Sequence, residues 1–200
     1  VIFCNSNGEV IPGDKILGLL AINEAKHNRL PKKGFVATVH SNSGLDASLK
    51  EKGISLHRAD VGDRKVAEMM RKECLNLGGE SSGHVVASQY LPTGDGLLTA
   101  LMVTRASYES KKSIHSLSDQ IILWPSVEGS FLVKEKIPIE ECNELYSIFQ
   151  KVKVSLGERG RILLRYSGTE PKIRLLVEAV DSEKAYDAYH TIAEIIEKTL

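Results

Sequence analysis

Two arginines, two hydroxyls and a glycine fall within ten residues in the stretch Arg165, Tyr166, Ser167, Gly168, Thr169, Glu170 and Pro171, followed by Arg174 and, further on, Glu178. Together these residue types suit the capture of a phosphate. An arginine presents a planar fork to two phosphate oxygens at once, and such charge-assisted bonds contribute about 1.5–3 kcal/mol each. Ser167 and Thr169 add compact donors, Gly168 lets backbone amides approach an oxygen without a side chain in the way, and Pro171 fixes the exit from the turn. The competing reading is a polar hairpin in which Arg165, Glu170, Arg174 and Glu178 form weak surface ion pairs.

A second group lies in Leu77 to His84, which reads Leu-Gly-Gly-Glu-Ser-Ser-Gly-His. Its glycines allow an exposed, tightly turned loop. Glu80 can accept from two neighbouring hydroxyls beside Ser82, which can donate or accept, and that pair is a natural clamp for a sugar ring. The alternative is a structural turn with Glu80 in solvent. Shortly after comes Thr93 to Leu101, where Asp95 fits the N-cap of a following helix.

These loops need elements to position them. Ile162 to Leu164 leads into the arginine-rich turn and Ile173 to Val177 leads out, so the turn is predicted between two strands. Upstream, Val1 to Cys4 and Glu9 to Ile11 flank Asn7-Gly8 as a hairpin. Asp14 is predicted to cap a helix bearing Ile16, Leu17, Leu20 and Ala21. Phe35 to His40 then reads as a buried strand ending in His40. Gly44 to Lys52 and Arg64 to Asn76 read as helices, Ile54 to His57 and Val85 to Ala87 as strands, and Gly96 to Ala106 as a helix. The first half is thus an α/β unit with helices packed on a mixed sheet.

From Tyr108 to Pro125 the composition turns polar and irregular, which predicts a linker there, with the domain boundary at residues 121–126. Beyond it a strand near Ser130 to Lys136, a helix from about Ile139 to Lys153, the two strands around the turn and a helix from about Glu183 to Thr199 make a smaller α+β unit.

Lys plus Arg and Asp plus Glu are 26 each, which argues against broad attraction to nucleic acid or membrane. Any phosphate recognition is therefore local. Cys4, Cys74 and Cys142 are scattered and odd in number, a pattern of buried or half-buried thiols in a reducing cytoplasm rather than a disulfide framework. No apolar run reaches bilayer-spanning length. The first residues read as the middle of a strand, so the sequence is expected to continue a longer protein.

Four segments in order resemble the α-D-phosphohexomutase superfamily, most closely its bacterial phosphoglucosamine mutase branch. They are Gly13-Asp14 with its helix, Val61-Gly62-Asp63-Arg64, the Leu77 to His84 loop with Thr93 to Leu101, and the Arg165 to Pro171 turn with Arg174 and Glu178. The resemblance covers essentially the whole chain. It implies the last two of four domains around one cleft: residues 1–12 as the tail of the second domain, 13–120 as a sugar-binding α/β third domain, and 127–200 as a fourth, phosphate-binding domain of the TATA-binding-protein-like type.

The family moves a phosphoryl group between the 6- and 1-oxygens of a hexose by way of a bisphosphate, using a phosphoserine and Mg2+ held by aspartates. Both of those loops would lie upstream, so the resemblance implies no catalytic and no metal residue here and a chain inactive by itself. It implies that Glu80 and Ser82 grip sugar hydroxyls, while Arg165, Ser167, Gly168, Thr169 and Arg174 hold the phosphate that is not reacting. The implied partners are a hexosamine phosphate and the N-terminal domains of the same protein, with no nucleic acid and no membrane. His84, Asp63, Arg64 and His40 are possible supporting residues. His40 departs from the branch's usual apolar residue, which leaves its role open. Two other readings stand beside this one: a phosphomannomutase or phosphoglucomutase, and a non-catalytic phosphosugar-binding module.

Overall fold

The computed structural model describes all residues from Val1 to Leu200 and divides into two compact units, Val1–Leu123 and Trp124–Leu200. The first unit opens with a small antiparallel hairpin of β1 (Phe3–Cys4) and β2 (Val10–Ile11), in which Asn5 side-chain oxygen accepts from the Asn7 and Glu9 amides. Next come α1 (Gly13–Lys26), β3 (Gly34–Thr38), α2 (Ser43–Lys50), β4 (Ser55–Ala59), α3 (Asp63–Glu73), β5 (Leu77–Gly79), β6 (Val85–Ala87), α4 (Gly96–Ser110) and α5 (Ile114–Ser118).

The sheet order is β4-β3-β5-β6, with β3, β4 and β5 parallel and β6 antiparallel at the edge. β3 shows why the sheet is sandwiched. Phe35 and Ala37 enter a core with Leu17, Leu20 and Leu45, whereas Val36 enters another with Val66 and Met70 of α3. A central parallel strand buried on both faces needs a continuous apolar run, which Phe-Val-Ala supplies.

The second unit contains β7 (Ser126–Leu132), α6 (Asn143–Leu156), β8 (Gly160–Tyr166), β9 (Lys172–Ala179) and α7 (Ser182–Thr199). Its antiparallel sheet has the order β7-β9-β8. Ile173, Leu175, Val177 and Ala179 alternate along β9 into a core with Leu145, Ala185, Ile192 and Ile196 from the two long helices. The intervening residues Lys172, Arg174, Leu176 and Glu178 therefore share the opposite face, as strand periodicity requires.

Several expectations need correction. Asp14 does not cap α1: Pro12 holds that position, and the buried Asp14 carboxylate accepts from the Asn42 amide at 2.8 Å. β3 ends at Thr38, so His40 lies in the following turn rather than on the strand. Leu77–Gly79 is a strand and not part of the loop, because Gly78 packs against Val66 and Met70 so closely that a Cβ would come within 2.7 Å of both side chains. The expected linker is largely folded, since α4 runs on to Ser110, Ser113 caps α5, and Ile121 is fully buried in the first core. β7 begins four residues before the expected strand. Cys4 and Cys74 are exposed, and only Cys142 is buried.

Candidate functional site

In the second unit, β8 and β9 are joined through Gly168 to Pro171, and the Ser167 amide closes this loop on the Lys172 carbonyl at 2.8 Å. The register places Arg165 directly opposite Arg174. Directly opposed residues of an antiparallel pair point to the same face, with Cβ atoms about 4.5–5.5 Å apart, and like charges there are unfavourable. Two arginines opposed beside a glycine-containing loop are a local conflict of the kind found at functional positions.

The loop is held from below. Tyr166 turns into the core and donates its hydroxyl to the Ile137 carbonyl at 2.7 Å, with burial first among the causes that raise its pKa. Lys136 donates to the Ser167 carbonyl at 2.6 Å, and the buried Ser167 hydroxyl oxygen accepts from the Glu170 amide at 3.3 Å. Gly168 and Thr169 stand exposed at the tip. Gly168 has no positive φ, and a Cβ added to it would meet nothing within 4 Å, so neither conformation nor packing within this chain demands glycine.

Glu170 binds Lys172 at 2.7 Å and Arg174 at 2.9 Å. Lys172 first, then Arg174, hydrogen-bond to the carboxylate and hold its pKa below the ordinary value. The surface ion pairs considered as an alternative thus exist in part. Glu178 is not a member of the loop: it is buried further along β9 and pairs with Arg161 at 3.1 Å.

In the first unit, the turns that follow the parallel strands β3, β4 and β5 carry the remaining candidates, the end of an open α/β sheet where ligands usually bind. The Glu80 to His84 turn is closed by the Gly83 amide on the Glu80 carbonyl at 3.0 Å and the Glu80 amide on the His84 carbonyl at 2.9 Å. Gly83 has φ +87, and the turn lies tight against the start of α1, where a Cβ on Gly13 would overlap Ser81 and Gly83 backbone atoms.

Glu80 is half-buried and accepts from the Gly62 amide at 3.0 Å, so the two loops are tied together; Ser82 is exposed. His84 Nε2 lies 3.8 Å from the Asp63 carboxylate, an ion pair only when the imidazole is protonated, and its ring fills the space a Cβ on Gly94 would need. Asp95 caps α4 through the Leu98 amide at 2.7 Å, as expected. Arg64 points to solvent with Glu68 at 3.2 Å.

His40 is half-buried in the turn after β3, where its amide donates to the Thr38 hydroxyl at 3.3 Å. Arg58 braces the same turn by donating to the Thr38 and Ser41 carbonyls at 3.2 and 2.7 Å. Glu80, His84 and Asp63 are thus brought together, and so are Arg165, Ser167 and Arg174. Sequence reasoning missed Arg58, Lys136 and Lys172, and the bond that ties Gly62 to Glu80. A lysine two residues before Arg174 on the same strand face was the one available signal.

No group of three or more His, Cys, Asp or Glu forms that could hold a metal ion. No helix is long and apolar enough to cross a membrane.

Residues 12–123 match the family model for phosphoglucomutase/phosphomannomutase alpha/beta/alpha domain III, and residues 130–195 match that for the phosphoglucomutase/phosphomannomutase C-terminal domain. The chain is 40% identical over 200 residues to a phosphoglucosamine mutase of Nitratidesulfovibrio vulgaris (strain Miyazaki F), covering all of this chain and 44% of that relative. It is equally similar, at 40% over 200 residues and 44% of the relative, to a phosphoglucosamine mutase of Lawsonia intracellularis. The chain therefore spans less than half the length of the curated relatives it matches. Among solved structures, an N-acetylphosphoglucosamine mutase of Aspergillus fumigatus in complex with GlcNAc-6P and magnesium shares its fold with a TM-score of 0.78 at 17% identity, over 99% of this chain and 46% of that one.

Proposed function

The chain belongs to the phosphoglucomutase/phosphomannomutase family, and on that footing we propose that it is the sugar- and phosphate-holding part of a phosphoglucosamine mutase, with residues 1–12 ending the second domain, 13–123 forming the third and 124–200 the fourth. The full-length protein would interconvert glucosamine 6-phosphate and glucosamine 1-phosphate through a bisphosphate, in the cytoplasm, on the route to UDP-N-acetylglucosamine and peptidoglycan precursors. The observation that carries the reading is the opposition of Arg165 and Arg174 across β8 and β9 at the mouth of an open glycine-containing loop.

Arg165 and Arg174 supply the charge for the phosphate, the Gly168 and Thr169 amides and the Ser167 and Thr169 hydroxyls its remaining donors. Glu80, with one oxygen on the Gly62 amide, offers its other oxygen and Ser82 to sugar hydroxyls. Asp63 and Gly94 set the His84 ring, which supports that loop; Arg64 and His40 are placed more loosely around it. Holding a phosphate that does not react turns binding energy into orientation of the one that does.

The family's Mg2+ would neutralise charge at the transferring phosphoryl group. The residues present do not fit a magnesium site, since no cluster of carboxylates forms among them. The phosphoserine and the metal aspartates belong to the upstream domains, which are this chain's partners.

The decisive assay offers the full-length protein glucosamine, mannose and glucose 6-phosphates separately. The expected result is the highest kcat/KM on the amino sugar; preference for mannose or glucose would make it a phosphomannomutase or phosphoglucomutase, and no turnover of any would favour a binding module.

A further inference from the structure

Lys172, Arg174 and Arg165 crowd three positive charges onto one face of two neighbouring strands, yet the single carboxylate of Glu170 joins two of them. One oxygen meets Lys172 Nζ at 2.7 Å and the other meets Arg174 at 2.9 Å. A carboxylate that spans two cations in this way occupies the positions of two phosphate oxygens. We propose that Glu170 is a built-in placeholder for the phosphate, and that Lys172 is a further phosphate ligand which Glu170 releases, together with Arg174, when a dianionic phosphate monoester enters the loop. The inference rests on the reading of this loop as a phosphate site.

The geometry supports displacement rather than a permanent brace. The Glu170 amide is fixed to the Ser167 hydroxyl, so the backbone stays in place while the side chain turns about its own bonds. The Glu170 side chain is 40% exposed and can swing into water, which solvates it. Exposed ion pairs of this kind are weak, whereas a phosphate bears up to two negative charges and three strong acceptors. A dianion therefore displaces the carboxylate, and a singly charged ion does not. Without Glu170 the empty loop would leave Lys172 and Arg174 as like charges two residues apart on one face of β9.

Isothermal titration of inorganic phosphate, and separately of glucosamine 6-phosphate, into the full-length protein tests this with Glu170→Gln, Lys172→Met and Arg165→Ala variants. Glu170→Gln is expected to bind both ligands about 3- to 10-fold more tightly, the range set by losing exposed ion-pair competition. Lys172→Met is expected to bind both more weakly. If Glu170→Gln binds no more tightly, or Lys172→Met no more weakly, while Arg165→Ala still weakens binding, the placeholder is wrong and the phosphate site stands. If Arg165→Ala has no effect, the site and the placeholder fall together.

Discussion

Replacing Arg165 by alanine in the full-length protein is expected to lower kcat/KM for glucosamine 6-phosphate by roughly 10- to 150-fold, the equivalent of about 1.5–3 kcal/mol for a lost charge-assisted contact. The loss should not come from unfolding. A urea midpoint close to that of the wild type, measured alongside, would show that the loss is one of binding and not of folding. Arg165→Lys should recover only part of the activity, because a lysine restores the charge without the two-pronged fork. Unchanged kcat/KM in the alanine variant would remove Arg165 from the site.

The second large effect concerns the first unit. Glu24 on α1 is 1% exposed and is held by Arg29 at 3.1 Å and by Arg105 of α4 at 2.6 Å. Arg29 also reaches Glu109 at 2.8 Å, so one guanidinium ties α1 to α4. The pairs raise the Arg29 pKa, the Glu109 hydrogen bond first and the Glu24 bond second. Removing one partner of a buried ion pair costs about 3–5 kcal/mol, and the surviving Arg105 places Arg29→Met near the lower figure, about 3 kcal/mol by urea unfolding at neutral pH.

The same network makes part of the unit's stability depend on pH. Hydrogen bonds from Arg29 first and Asn23 second hold the Glu109 pKa down to about 2 against an ordinary 4.5. A carboxylate depressed in the folded state stabilises fully above its unfolded value and loses that contribution as pH falls through the folded value. The stability gap between wild type and Arg29→Met should therefore narrow between about pH 4.5 and 2. A gap independent of pH would show that Arg29 acts by packing alone.

Much of this was legible in the residues because the relevant physics is local. The apolar stripe of α1, the Asp95 cap, and the two strands around the loop needed only periodicity and turn chemistry. The loop itself was found by residue type. What could not be read depended on partners far along the chain. The strand expected from Ser130 begins at Ser126 and includes Gly129, over which Tyr189 of α7 packs so closely that a Cβ would overlap its hydroxyl. Asp14 carries the residue type of a cap, but its carboxylate serves an amide 28 residues away. α5 is five residues long, too short to show a period, and is fixed by Ser113 and by the burial of Leu117 and Ile121 against the first core.

The candidate site divided in the same way. Arg165, Ser167 and Arg174 announced themselves, whereas Lys136 carries no signal and Lys172 only its spacing from Arg174; they matter through the Ser167 carbonyl and the Glu170 carboxylate. Glu80 was visible as a polar group in a glycine-rich loop. Its bond to the Gly62 amide, which joins two of the recognised segments, appears only when β4 and β5 end side by side with β3.

A crystal structure of the full-length protein with glucosamine 6-phosphate bound tests the phosphate loop most directly. Phosphate oxygens are expected within hydrogen-bond reach, about 2.7–3.2 Å, of the Arg165 and Arg174 guanidinium groups and the amides at Gly168 and Thr169. A phosphate bound elsewhere, with the Arg165 to Pro171 loop empty, would contradict that placement.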